Sequence, residues 1–576
     1  MLGRQETGSY QDFFSDDESA ISRPLPSHGA HWPGRARCDE IGFPPGACRA
    51  DGRGVPVRSG TGPAARAAVA PDKKPIFSSV SSIVTGSPGG TQRERSGIAT
   101  TTDRYDGRMN HTTPPAPLRR LTLDDRIAIG RQQARDLPLS HLGDPPSREG
   151  RPDIVAMLRS EGPNRIAELL PLRHARMAAC PLATLRGSAA LMAATLGARA
   201  STSLLVQLCG DAHLANFGVY ASPERDLVFD VNDFDETHPG PFEWDVLRLA
   251  TSFVTCVHAR DEPDKGAGLA RRVATSYRDS IRDLAAKPMV GALYERMTAA
   301  DIVALAGESS SAAPAKDAAA MVEKARRRTQ ERAIARLTEE VDGGRRFKSK
   351  PPVLVRCSDE ERRAKLAAGY AAFTETLPDE NRIIARRYAP IDFATRVGGM
   401  GSIGTRCFVA LLEGRDADDL IILQTKEATA SVLARHVTSL GAFPPIDHEG
   451  QRIVRGQKLM QAVSDLFLGW VDGVNNPSRH YYGRQLHDMK GAFDVEGARF
   501  ATLELYADLC AQTLARAHAR SGDTVAIAAY LGEGKAFADA VEVFSVAESH
   551  LIAGDHRRLS EAIASGELPA ADTEDA

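Results

Sequence analysis

Residues 210–250 read GDAHLANFGVYASPERDLVFDVNDFDETHPGPFEWDVLRLA, and just before them SLLVQL at 203–208 is a short continuous apolar run closed by Gly210. An apolar run of that length ending at glycine is the pattern of a buried strand. The strand delivers Asp211 at its C-terminal end, and His213 and Asn216 follow within one loop. The turn ASPERD leads to a second strand, LVFDV, which carries Asp230, and Asp233, Asp235 and Glu236 come next. Acidic groups this dense repel one another at the edge of a core unless a counter-ion joins them. Carboxylate and amide oxygens at strand ends suit a hard divalent cation such as Mg²⁺. Asp211 is then placed to orient or deprotonate an attacking hydroxyl. An Asp, an Asn five residues on and a further Asp on the next strand form the layout of phosphoryl transfer: base, metal ligand, metal ligand. The plain alternative is a solvated acidic turn closing a β-hairpin, with His213 an ordinary loop histidine.

A second constellation lies at 392–427, DFATRVGGMGSIGTRCFVALLEGRDADDLIILQTKE. Gly399, Gly401 and Gly404 form a GxGxxG with Ser402 inside it. Alone that is a weak signal, but the run TRCFVALL directly after it reads as strand. The turn DADD then leads to LIILQTK, ending at Lys426. Strand, glycine turn, strand, turn, strand and a terminal lysine make a sheet suited to gripping a nucleotide. Glycines let backbone N–H groups approach phosphate, and the lysine holds the α- and β-phosphates. A dinucleotide-binding turn should open a helix instead. The competing reading is an antiparallel meander with a tight turn and a surface lysine.

The remainder frames these two stretches. The chain has 576 residues, 72 basic and 75 acidic, for a formal charge of −3. That balance gives no support to bulk binding of nucleic acid. No apolar run is long enough to span a membrane, and the acidic start lacks an apolar h-region, so a soluble, cytoplasmic protein is expected. Eight cysteines without a CxxC pair speak against a disulfide scaffold or a zinc ribbon. Residues 1–100 hold 24 Gly plus Pro and show no periodicity, so 1–110 reads as a disordered tail, or as a mis-called start before Met109. A helix is expected after Thr122 and Asp125, which have capping-box spacing. Others are expected at Pro152, from Leu185 to Leu196, over 428–440 and across 500–551, where Gly522 would end one helix. RIVRGQKLMQ and HYYGRQL read as strands. ESSSAAPAKDAAA reads as a linker before the charged helix MVEKARRRTQERAIARLTEEV. Arg484 and Gln485 are secondary candidates for the cleft, equally at home in an exposed strand pair; His518, Arg520, Arg176 and Arg186 are secondary candidates for phosphate, with a structural role the commoner one for such residues.

GDAHLAN resembles the catalytic loop of the aminoglycoside phosphotransferase and choline kinase group, and LVFD resembles the strand ending in that group's metal-binding Asp. FEWDVLRLA resembles the later segment whose Asp, here Asp245, buttresses the catalytic loop. More closely, the stretch from about Arg151 to Phe544 resembles the domain of unknown function 2252 family. Its features appear as ARM (175–177), LRGSAALMA (185–193), QLCGDAHLANFG (207–218), FDVNDFDETHPGPFEWDVLRLATS (229–252), GMGSIGTR (399–406), LQTKEA (423–428) and LARAHARSGD (514–523). The resemblance implies Asp211 as catalytic base, with His213 beside it, Asn216 as a metal ligand and Asp230 as the main one. By local motif, Asp233 before a Phe fits the second metal position, so both are kept.

In kinases the glycine loop precedes the catalytic loop, whereas here Gly399 comes 188 residues after Asp211. The expectation is an α+β, protein-kinase-like two-lobe fold in circularly permuted order, with mainly helical flanks. Its parts are the tail at 1–110, a mostly helical catalytic-loop lobe at 111–385, a glycine-loop β-rich lobe at 386–495, and C-terminal helices at 496–576 packing on the catalytic lobe. The expected activity is transfer of a phosphoryl group from ATP, with Mg²⁺, to a hydroxyl of a small-molecule acceptor. A non-catalytic nucleotide-binding module, a metal-dependent hydrolase using Asp211, His213 and Asp230, and nucleotidyl transfer are the alternatives. The oligomeric state is not legible.

Overall fold

A computed structural model describes residues 120–571 except 261, 487 and 488; the expected tail at 1–110 lies outside the described residues. The fold is mixed α+β, with more helix than strand. Helices fill the described chain from Leu123 to Gly197 before any strand appears. The first, Leu123–Asp136, opens on the expected capping box, in which Thr122 and Asp125 satisfy each other's backbone N–H.

Strands β1 (Leu205–Leu208), β2 (Phe217–Ala221), β3 (Leu227–Val231) and β4 (His238–Pro241) carry the acidic stretch. β1 pairs with β4 and β2 with β3, all antiparallel, and the short β5 (Met297–Thr298) joins β3. β6 (Thr338–Val341) and β7 (Gly344–Phe347) form a separate hairpin. The second large unit is a six-stranded antiparallel sheet. It contains β8 (Leu354–Arg356), β9 (Ala389–Arg396), β10 (Cys407–Glu413), β11 (Leu420–Ala428), β12 (Gly469–Asp472) and β13 (His480–Gln485), in the order β12-β13-β11-β10-β9-β8. The sheet thus begins at Leu354, upstream of residue 386.

Side chains alternate across this sheet, as a period of two requires. On β11, Ile422 packs with Val409, Leu411 and Phe347 on one face, whereas Ile421 and Leu423 pack with Phe373 and Leu377 on the other. Lys426 falls on the Ile422 face. The main core lies elsewhere, where the helices Glu243–His258, Pro263–Ala285, Phe500–Ala519 and Ala536–Ala564 pack together behind β1–β3. Tyr506 reaches from that core to the loop after β1, its hydroxyl donating to Leu214 O at 2.6 Å and contacting Phe217 O at 3.1 Å.

Several local expectations fail for identifiable reasons. Residues 428–440 form no helix: β11 runs to Ala428, and the chain then turns through 432–436. Ser431 Oγ donates to Glu236 O and the Val432 N–H to the Glu236 carboxylate, so tertiary bonds hold this segment. RIVRGQKLM is helical, within Glu449–Met460, with Gln461 as the C-cap and Ile453, Gly456, Gln457 and Met460 buried at helical spacing. The helix expected over 185–196 breaks at Ser188, whose hydroxyl donates to Thr184 O at 2.6 Å, giving Pro181–Gly187 and Ala189–Gly197. The linker-like 308–320 lies largely in helix Ala312–Arg326, capped by Ser311 and anchored by buried Ala318, Met321 and Val322. The expected charged helix over 321–341 breaks after Arg326, resumes over Gln330–Leu337 and then becomes β6. Pro152 precedes Asp153, the true N-cap, and the helix before Gly522 ends at Ala519.

Candidate functional site

The loop after β1 is built around Gly210. Its φ is +83°, and a Cβ there would stand 2.0 Å from Glu236 O, so only glycine fits. The carboxylate of Asp245, in the first turn of helix Glu243–His258, accepts the N–H groups of Cys209 at 2.6 Å and Gly210 at 3.0 Å. His518 Nε2 lies 3.3 Å from the same carboxylate, and Tyr277 OH lies 2.8 Å from His518 Nδ1. Asp245, His518 and Tyr277 are all buried, so this chain of bonds is a rigid buttress under the loop.

One turn further along the same helix, Arg248 donates from Nε and Nη2 to Asp211 Oδ1 at 2.9 and 2.6 Å. The other oxygen of Asp211 lies 3.6 Å from His213 Nε2. The Ala215 N–H donates to His213 Nδ1 at 3.2 Å, so the neutral ring keeps its proton on Nε2, toward Asp211. Burial pushes the His213 imidazole down to about 4, with Asp211 opposing. Asn216 Nδ2 donates to Asp211 O at 2.7 Å, which leaves the amide oxygen as the atom suited to a cation.

The two candidate metal aspartates differ in surroundings. Asp230 is buried on β3. Its Oδ1 accepts from Val231 N and its Oδ2 from Ala462 N, both at 2.9 Å. Burial raises its pKa, with Arg520 and these two amides opposing. Both of its oxygens therefore serve the backbone, tying β3 to the end of helix Glu449–Met460. Asp233 instead faces the six-stranded sheet. Lys426 Nζ lies 3.9 Å from Asp233 Oδ2 and 3.3 Å from Asp235 Oδ2. Against the effect of burial, Lys426, Arg484 and Lys490 hold the Asp233 carboxyl below its usual range. Lys426 is itself buried, and Asp233 and Asp235 keep it charged. Tyr482, paired with Lys426 across β11 and β13, donates its hydroxyl to Asp235 Oδ1 at 2.5 Å.

The glycine turn joins this group. Residues 400–402 form a single 3₁₀ turn between β9 and β10. Ser402 Oγ lies 3.3 Å from Asp235 Oδ2 and 3.5 Å from Lys426 Nζ. The turn rests on the helices before β1: Arg165 Nη1 donates to Gly401 O and Ile403 O, and Gly404 O accepts from Ile166 N. Gly404 has φ +89° and abuts Arg165, so its backbone demands glycine. A Cβ on Gly399 would meet nothing within 4 Å, and one on Gly401 only Arg186 O at 3.8 Å. Neither packing nor conformation requires glycine at those two positions. Arg186 meets Gly401 through its backbone oxygen; the Nε of its side chain is buried without a hydrogen-bond partner among the described residues, and its charge helps to lower the pKa of His213.

The family model described as uncharacterized protein conserved in bacteria (DUF2252) matches residues 165–562, more than half of the chain. The chain belongs to this family. Neither the curated proteins nor the solved structures contain a significant match.

In this DUF2252 member, Asp211, His213 and Asn216 share one loop, while Asp233, Asp235, Ser402, Lys426 and Tyr482 share one polar cluster. Asp230 stands apart from that cluster. His518 and Arg520, read as secondary phosphate candidates, have structural partners: His518 has Asp245, and Arg520 donates to Met460 O and Glu295 O. Gln485 pairs with Gln330, whereas Arg484 enters the cleft and donates to Asn232 O at 3.1 Å.

Sequence reasoning missed two cations. Arg452 donates to Asp235 O, Thr237 O and Thr429 O, bridging the acidic loop and the chain after Lys426. Lys490 is carried beside β2 by Gly491, which exchanges two backbone bonds with Val219. Burial and Arg484 push the Lys490 amine down to about 7. No short motif marks either residue, because each acts through a fold contact rather than a local pattern.

Proposed function

We propose that this DUF2252 protein is a kinase-like phosphotransferase that moves a phosphoryl group from ATP, with Mg²⁺, to a hydroxyl of a small molecule. One observation carries the reading: Lys426, on the sheet behind the glycine turn, lies within ion-pair distance of Asp233 and Asp235, just after the catalytic-loop strands. Such a reaction needs groups from both stretches around the same phosphates, and the contact of Lys426 with Asp233 and Asp235 supports that reading.

The residues fit the parts such a reaction needs. Asn216 and Asp233 offer hard oxygen donors that suit Mg²⁺, which supplies neutralisation of phosphate charge when bound. Lys426 and Arg186 supply cationic contacts to phosphate oxygens, and the backbone at Gly399 and Gly401 admits their close approach. Asp211 orients the acceptor hydroxyl through Oδ2, since Arg248 holds Oδ1. His213, neutral above about pH 4, presents an N–H to Asp211 and fixes its direction. The permuted chain order is no obstacle, because chemistry depends on where groups stand and not on their sequence order.

The second reading is a nucleotide-binding module without turnover, and the double donation from Arg248 to Asp211 favours it by weakening that carboxylate as a base. A hydrolase built on Asp230 is disfavoured by the two amides that occupy its oxygens. The test is a thermal shift of the full chain with MgATP, followed by assay for ADP in the presence of pooled small-molecule alcohols. Wild type should gain stability by mass action, and Lys426→Met and Asp233→Asn should not. Equal responses in all three, or none, reject nucleotide binding; a shift without ADP selects the second reading.

A further inference from the structure

Helix Glu449–Met460 begins on two histidines. His448 is its N-cap, and its Nδ1 accepts the Gln451 N–H at 3.1 Å. His480 reaches the same turn from β13, and its Nδ1 accepts the Glu449 N–H at 3.0 Å. A ring nitrogen that accepts an N–H carries no proton, so each neutral ring keeps its proton on Nε2. Both Nε2 atoms lie near one carboxylate on β12: His448 Nε2 donates to Asp472 Oδ1 at 3.0 Å, and His480 Nε2 stands 4.0 Å from it. The spacing of the three groups would suit a metal ion, but the Nε2 protons stand where its bonds would form. The two rings lie face to face, centroids 3.8 Å and planes 19° apart, and Trp470 packs on His448 at 4.4 Å.

This arrangement tolerates only neutral rings. A proton added at either Nδ1 faces a backbone N–H, so a cap bond is lost, and the new charge sits at the positive end of the helix dipole. Burial first and His480 second hold the His448 imidazole below its usual range, against Asp472. Asp472 is more than half exposed, so water screens its pull. The other charged groups around the turn are engaged. Glu449 pairs with Arg452. Arg479, beside His480, pairs with Glu427 of β11 at 2.9 Å. His238 of β4, which feels Arg452 and Glu449, gives its Nδ1 proton to Pro239 O. Arg455 donates to Pro445 O, Arg520 sits on Met460 O at the far end of the helix, and Asp447 is exposed. Arg452 belongs to the same first turn. It donates to Asp235 O at 3.0 Å, Thr429 O at 2.7 Å and Thr237 O, so the cap secures the acidic loop.

We propose that His448 and His480 form an acid-sensitive latch: neutral, they close the first turn of helix Glu449–Met460, and protonation of either opens that turn and releases Arg452 from the loop at Asp235–Thr237. The latch does not depend on what the polar cluster binds, because its titrating groups and its readout lie at the helix start.

The test is hydrogen exchange of the full chain, read as protection of the Glu449 and Gln451 amides after correction for the intrinsic rate. It is measured near pH 7.5 and near pH 5, on either side of the ordinary histidine range. On acidification wild type should lose about tenfold in protection at these two amides, while the buried amides of helix Phe500–Ala519 stay unchanged. His448→Asn combined with His480→Asn keeps an acceptor near each Nδ1 position but takes up no proton, and should hold protection constant. His448→Asn alone replaces the pair if the double change impairs folding, and should keep Gln451 protected at the lower pH. Protection in wild type that does not fall overturns the proposal, as does an equal fall in the variants. So does one Zn²⁺ bound per wild-type chain and none in the variants, which would show the Nε2 lone pairs given to a metal.

Discussion

Lys426 Nζ lies 3.3 Å from Asp235 Oδ2 although 191 residues separate them in the chain. The lysine ends a meander that is fully specified by its own sequence, and the aspartate ends a separate strand pair. Their contact is a property of the tertiary fold, and its surroundings make it consequential. Lys426 is buried and has two carboxylates, a serine hydroxyl and a tyrosine ring around it. Removing the ammonium leaves two acidic groups facing each other at the edge of the core.

Lys426→Met should therefore destabilise the protein by about 3 kcal/mol, the usual size for stripping one partner from a buried pair. Adding Asp235→Asn should recover part of that loss. A double-mutant cycle by urea denaturation reads the coupling, expected at about 1–3 kcal/mol. Strict additivity of the two changes would show that the contact does not contribute.

The glycine turn makes a sharper distinction. Gly404→Ala must adopt φ +89° against Arg165, and should cost about 1–2 kcal/mol of stability. Gly399→Ala and Gly401→Ala meet open space, and should leave the denaturation midpoint nearly unchanged. If phosphate approaches this backbone, the same two changes weaken the thermal response to MgATP at least severalfold. Unaltered response in both would place the phosphates elsewhere.

Asp230 and Asp233 are expected to separate cleanly. Asp230→Asn turns an amide N–H toward the N–H of Val231 or Ala462 and should lower stability by about 1–3 kcal/mol, with the MgATP-induced shift retained. Asp233→Asn should change stability less and abolish the shift. The reverse pattern would assign the metal to Asp230.

Asp245→Ala leaves the N–H groups of Cys209 and Gly210 without their acceptor and strands His518. Each unsatisfied buried donor costs about 1–3 kcal/mol, so this should be among the most damaging single changes in the chain. Hydrogen exchange at Cys209 and Gly210 reports the effect directly, and protection unchanged in the variant would show that the loop has another anchor.

Glu236 carries a pH signature. Burial pushes its carboxyl up to about 7, against the Val432 amide and Arg452. Between about 4.5 and 7 the folded protein holds a proton on this group that the unfolded chain has lost. Stability from this group therefore falls as pH rises through that window and stays low above it. Glu236→Gln, measured after EDTA treatment, should match wild type near pH 4 and exceed it at pH 8 by up to about 3 kcal/mol. Parallel stability curves for the two proteins would contradict the assignment.

Periodicity and glycine placement made much of the architecture readable in advance. The apolar run ending at Gly210, the LVFDV strand, the β9–β11 meander and the Thr122 capping box all follow from neighbours within a few residues, and local backbone preference is what sequence pattern reports. The errors fall where distant contacts override it. The chain after Ala428 is held by Glu236 and so forms no helix, and RIVRGQKLM buries one helical face beneath a sheet whose partner strands come from elsewhere. The candidate site residues were visible for the same local reason: Asp211, Asn216 and Lys426 sit near strand ends or in loops. Which carboxylate Lys426 meets was beyond that reach. Asp230 and Asp233 are three residues apart and chemically alike. Only packing decides that two backbone amides take the first while the second turns toward a lysine from another sheet, because burial and partner geometry are set by the whole chain at once.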